Sequence, residues 1–187
     1  MLEELLVRHC APTLAGIKTG SLFSCPCVCP RALLEELRCL NRCLSPKDLR
    51  LLPLRIRENR ALLYLYRRAR LKEDLSRTGA GTILKHCGYA CATPERCITR
   101  LRSRLQGGED FPHEIGLFLG YPPEDVWGFI QNGGECYKCI GCWKVYGDEE
   151  KALRTFTQYR LCTQVYLRRL KWGDTIEQLS AAEQLVC

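Results

Sequence analysis

Residues 50–66 constrain the fold of this chain more than any other stretch. Leu52, Leu54 and Ile56 alternate with Pro53, Arg55 and Arg57, the period of a half-buried strand. Pro53 has no N–H to give a sheet, which places that strand near an edge. Arg57-Glu-Asn-Arg60 turns the chain, and Ala61-Leu-Leu-Tyr-Leu-Tyr66 returns as a second strand. The pattern predicts a hairpin. Further strands are read near 21–25 and at 143–146.

Elsewhere the periodicity is helical. Leu33, Leu37, Leu40 and Leu44 recur at helical spacing and predict an amphipathic helix over 31–44, opened by Pro30. Thr93 is a natural N-cap for a helix over 94–105. Asp148 caps a long helix over 148–170, with an apolar stripe of Ala152, Phe156, Tyr159, Cys162, Tyr166 and Leu170. Shorter helices are expected at 1–8, 70–77, 82–87, 113–119 and 123–131, with His9–Gly16 breaking the first. A small antiparallel sheet packed by several helices is an α+β fold. The length of 187 residues suits one domain, expected over 1–173, with 174–187 as a C-terminal tail. No apolar run approaches the roughly 20 residues of a membrane span. The acidic opening Met1-Leu-Glu-Glu carries no secretory pattern, so neither membrane nor export is expected.

Charge is distributed unevenly. Lys and Arg number 28 against 21 Asp and Glu, a net +7. Residues 31–104 hold 18 basic and 7 acidic side chains, whereas 105–150 hold Lys138 and Lys144 against nine acids. An anionic partner, an acidic protein or a nucleic acid, therefore belongs with 31–104. There Tyr64, Tyr66 and Arg67 are candidates to stack bases. The two short helices at 113–131, within the segment 105–131, resemble a helix-turn-helix in outline. That segment holds five acids and no Lys or Arg, so phosphates are repelled there.

Fourteen cysteines are many for a chain of this length. Without a secretory signal they read as free thiols of a reducing cytoplasm, in an organism tolerant of thiols such as an anaerobe. Cys136-Tyr-Lys-Cys139-Ile-Gly-Cys142 has two-residue spacers that let three thiolates converge on Zn or Fe. A fourth ligand is absent locally, and the surrounding acids favour a single Zn²⁺ or Fe²⁺ over a cluster. The tighter Cys25-x-Cys27-x-Cys29 is a weaker chelate. Pairs at i, i+4, Cys39 with Cys43 and Cys87 with Cys91, suit core packing. A third chemistry is nucleophilic: Cys10 with His113 as its base, and Glu114 beside it.

Three segments together carry a family likeness: His9-Cys-Ala-Pro-Thr-Leu-Ala-Gly-Ile-Lys-Thr-Gly-Ser-Leu-Phe23, Phe111–Val126, and Gly141-Cys-Trp-Lys-Val-Tyr-Gly-Asp148. With Leu63-Tyr-Leu-Tyr-Arg67 between them, the chain resembles the domain of unknown function 3793 family of anaerobic bacteria over about residues 7–165. The resemblance implies a bacterial cytosolic protein and brings no catalytic residues with it. It singles out His9, Lys18, Tyr121, Trp143, Lys144 and Tyr146 as motif residues. His9-Cys10, Phe111–Tyr121 and Cys139–Lys144 are expected to converge on one site. Three functions are open at this point. The first is a Cys-rich protein holding a metal ion or redox centre. The second is a non-enzymatic module gripping an anionic partner through 31–104. The third is a Cys-dependent enzyme using Cys10 and His113.

Overall fold

The computed structural model describes residues 2–90, 93–107 and 111–180. Cys91, Cys187, Glu109, Asp110 and the end of the expected tail lie outside the described residues. The chain divides into two compact units, one of residues 1–69 and 159–187, the other of 70–158. The fold is α+β, as the sequence predicts.

In the first unit, helix α1 (Leu2–Leu14) leads to strand β1 (Gly20–Pro26), helix α2 (Pro30–Leu44) and the hairpin strands β2 (Leu49–Arg57) and β3 (Arg60–Arg67). The sheet order is β1-β3-β2, antiparallel throughout, so β3 is central and Pro53 sits on an edge strand. The four leucines of α2 are all buried. Together with α1, Phe23, Leu49, Leu51, Leu63 and Leu65 they form one core, closed by Tyr166, Ile176 and Leu179. Tyr166 lies on α8 (Glu149–Lys171), and Ile176 and Leu179 on the short α9 (Ile176–Leu179).

Two expectations are corrected here. The first helix does not break at His9: it runs to Leu14 with Pro12 inside. What sustains it is tertiary. Arg67, 5% exposed, donates from Nε to the Thr13 carbonyl at 2.8 Å and from Nη2 to the Leu14 carbonyl at 2.6 Å. It thereby satisfies carbonyls that a helix end leaves open. Gly16, at φ 82°, then turns the chain away. The second correction concerns strand phase. A bulge between Pro53 and Arg55 shifts the register. Leu49 and Leu51 face that core with Ile56 half-buried against it, whereas Leu54 is fully buried outside that cluster and Leu52 only half-buried, so the alternation is not continuous.

Asn41 of α2 protects the edge. Its Nδ2 donates to the Leu51 carbonyl at 2.7 Å, and its Oδ1 accepts the Leu51 N–H at 2.9 Å. One side-chain amide thus takes the place of a neighbouring strand. Tyr64 and Tyr66, stacked at 4.9 Å, are buried, as is Arg67. None of the three is available to stack a base.

The second unit is mostly helical. It contains α3 (Arg68–Ser76, shared with the boundary), α4 (Thr78–His86), α5 (Pro94–Gln106), α6 (Ile115–Phe118) and α7 (Pro123–Gln131). Thr93 caps α5 as expected, accepting from Arg96 N–H at 3.4 Å. The strand expected at 143–146 is shorter and belongs elsewhere than the main sheet. Lys144–Val145 (β5) pairs with Cys139–Ile140 (β4) in a separate two-stranded ribbon. No helix among the described residues is long and apolar enough to cross a membrane.

Candidate functional site

Asp125 organises the second unit's cavity. It stands in the first turn of α7 and is 3% exposed. A buried carboxylate needs donors, and the ribbon's return strand supplies three. Trp143 Nε1 donates to Oδ2 at 2.7 Å, and the N–H groups of Tyr146 and Gly147 each donate to Oδ1 at 2.7 Å. These bonds pin residues 143–147 against α7. Gly128 and Gly141 permit the close fit. A Cβ on Gly128 would lie 2.4 Å from Tyr146 Cγ, and one on Gly141 would lie 2.2 Å from Phe156 Cδ2.

The result is a cavity of about 310 Å³ between α6, α7 and the ribbon. Phe111, Tyr121, Phe129 and Trp143 supply its aromatic walls. Tyr121 stacks on Trp143 at 4.7 Å, and Trp143 meets Phe156 edge-on at 4.5 Å. His113, Lys144 and Cys142 are its other notable side chains. The His113 ring lies 4.7 Å from that of Phe129. Lys144 Nζ donates to the Gly134 carbonyl at 2.7 Å and faces the Tyr137 ring at 4.7 Å and the Phe129 ring at 5.8 Å. Burial, then the Cys142 thiol, pushes the Tyr121 hydroxyl up to about 12. That hydroxyl donates to the Cys142 carbonyl at 3.2 Å.

The structure thus gathers His113, Tyr121, Cys142, Trp143 and Lys144 around one cavity. Tyr146 is near but structural: its ring packs against Gly128, and its hydroxyl is buried without a partner among the described residues. Glu114 is 2% exposed and accepts from the Tyr89 hydroxyl at 2.8 Å and from Arg104 Nη1, which ties α5 to the start of α6. A carboxylate so engaged serves the fold. Cys10 belongs to the first unit, fully buried in its core. Burial pushes its thiol far above the ordinary range, with Lys18 and Ser21 pulling the other way. A nucleophile needs the opposite shift. His9 is exposed and stacks on Phe23 at 5.8 Å, and Lys18 Nζ faces the Tyr159 ring at 5.6 Å.

The thiol triplet does not assemble a ligand set. Among the described residues no group of three or more His, Cys, Asp or Glu side chains could hold a metal ion. Cys136 is exposed in a left-handed backbone conformation at φ 59°, Cys139 lies on β4, and Cys142 alone reaches the cavity. Desolvation, then the Glu149 and Asp125 carboxylates, pushes the Cys139 thiol up. With Cys136, Cys139 and Cys142 not gathered into one group, the described donors do not fit a tetrahedral metal. Cys25 on β1 and Cys27 just beyond it, whose N–H donates to the Asn59 carbonyl at 2.7 Å, are both core residues. All twelve described cysteines are free thiols.

Sequence reasoning missed Asp125 and Phe129. An acid in a helix's first turn reads as a favourable charge on the helix dipole, and Phe129 reads as a helix's apolar face. The Pro122-Pro123-Glu124-Asp125 opening of α7 was the available signal for Asp125.

Fold and cavity together define an α+β protein whose helical unit carries an aromatic-walled pocket lined by Lys144. The chain belongs to the family described as protein of unknown function (DUF3793), whose model matches residues 6–180. No curated protein matches the chain, and no solved structure does.

Proposed function

We propose that the second unit binds a small planar organic anion in its aromatic cavity, without covalent chemistry, in the cytoplasm of a bacterium. The observation that carries this reading is the convergence of four aromatic rings with Lys144 on a cavity of about 310 Å³. A volume near the lower end of ligand pockets, apolar walls and few polar groups suit one or two fused rings. Rings prefer offset or edge contacts with such walls. Lys144 sets the charge. Among the described residues it is the one Lys or Arg lining the cavity, and the Asp125 carboxylate is already met by three donors. An ammonium has three donors; Gly134 takes one, which leaves others for a ligand carboxylate. A cationic ligand would meet like charge. The cytoplasmic placement draws support from twelve described cysteines held as thiols.

A panel of benzoate, nicotinate and indoleacetate, with benzamide and indole as neutral counterparts, tests this by thermal shift and tryptophan fluorescence. The anions are expected to raise the melting temperature and perturb Trp143, and Lys144→Met to abolish both effects. A panel that moves neither signal, or binding that Lys144→Met leaves intact, would overturn the reading.

A further inference from the structure

The first unit carries a row of six arginines, two of which its own fold engages. Residues 30–69 hold ten Lys and Arg against four Asp and Glu. Arg38 and Arg42 project from the exposed face of α2, one turn apart. With Arg50 of β2 they line an open groove of about 600 Å³ that also takes in Asn41, Ser45 and Pro46. Farther along, Arg55 and Arg57 of β2 and Arg60 of β3 line a second groove of about 450 Å³ at the hairpin end. Arg57 pairs with Glu58 at 2.9 Å, and Arg60 Nε donates to Ser24 Oγ at 3.0 Å. Arg38, Arg42, Arg50 and Arg55 have no carboxylate partner among the described residues.

Charged side chains often guard an edge strand against pairing with another chain. Here that protection exists already: Asn41 occupies the Leu51 N–H and carbonyl, Pro53 lacks a donor, and a bulge follows it. The arginines exceed what edge protection requires.

We propose that this edge, from Arg38 and Arg42 along β2 to the hairpin end, binds the phosphate backbone of a double-helical nucleic acid without reading its sequence. All six cations are Arg, whose planar fork matches phosphate oxygens. From Arg50 to Arg57 the strand spans about 20 Å, a length of duplex axis carrying roughly a dozen phosphates. An acidic protein fits less well, because protein interfaces centre on buried apolar side chains. Among the described residues of 35–107 no large apolar side chain is exposed, and next to the face Leu34, at 38%, is. The same absence argues against a single strand, which needs aromatic platforms for its bases, and Tyr64 and Tyr66 are buried.

Fluorescence anisotropy of the full chain with a labelled duplex of about 20 base pairs tests this. Four unpaired arginines predict affinity falling on the order of 100-fold between about 50 and 200 mM NaCl. The triple variant Arg38→Gln/Arg42→Gln/Arg50→Gln is expected to lose more than about 10-fold at the lower salt and to flatten the salt dependence. Arg96→Gln/Arg100→Gln/Arg102→Gln on α5 removes equal charge and is expected to change little. No binding at low salt overturns the proposal, as does equal loss in the two triple variants. Tighter binding of a single strand overturns the duplex assignment. Poly-glutamate that binds as well as duplex assigns the face to an acidic protein instead.

Discussion

Cys136 shows how a single backbone angle bears on the chemistry of this chain. A left-handed φ of 59° is costly for a residue with a Cβ, and it follows Gly133 and Gly134, both also at positive φ. Such strain persists where the surroundings impose it, and it often marks a functional position. Here the thiol is exposed and joins no ligand group. If Cys136 is a plain loop residue, Cys136→Gly relieves the strain at the entropic cost of a glycine. The variant is expected to keep its stability or gain up to about 1 kcal/mol in urea denaturation. A loss of more than about 1 kcal/mol, or loss of bound zinc from protein purified without chelator, would show that the thiol is used.

Among the elements, α2, α5 and α8 were legible because their signals are local. Leucines at three- and four-residue spacing, a Pro start and Thr or Asp caps each act within one helix. The full length of α1 was not legible, because Arg67 lies 54 residues from the Thr13 carbonyl it satisfies. The bulge in β2 was equally hidden, since alternation through Leu52, Leu54 and Ile56 reads as one uninterrupted strand. The hairpin turn was legible in position though not in quality. Glu58 and Asn59 both take positive φ, at 53° and 58°, as a two-residue turn of type I′ requires. Asn suits the first of these positions and Gly the second. Glu58→Asn/Asn59→Gly should therefore raise stability by about 0.5–1 kcal/mol. The exposed Glu58–Arg57 pair it removes is worth little. A lower melting temperature in the double variant would show that Glu58 has a role beyond the turn.

At the scale of the whole molecule, the sequence named most of the cavity's polar residues without showing what assembles them. His113, Tyr121, Trp143 and Lys144 stand in motifs, whereas their meeting depends on Asp125 receiving donors from residues 18 to 22 positions away. The burial that builds the two units also ties their stability to pH. Burial lifts the Cys162 thiol from 9.0 to about 11 and, with Cys142, the Tyr121 hydroxyl from 10.0 to about 12, while Cys10 is driven higher still. Each folded pKa lies above its unfolded value. Between those two values the folded chain keeps a proton that the unfolded chain has released, so stability falls as pH rises. The contribution is complete below about pH 8 and declines from about pH 9, by up to about 1.4 kcal/mol per pH unit for each fully buried group. Urea midpoints measured in reductant at intervals from pH 7 to 10 should fall over the last unit. Cys10→Ala lowers stability at every pH through the lost packing, yet it should make that alkaline decline shallower. A midpoint flat to pH 10, or a Cys10→Ala decline as steep as that of the wild type, would mean that Cys10 ionises as readily folded as unfolded, in conflict with its place in the core.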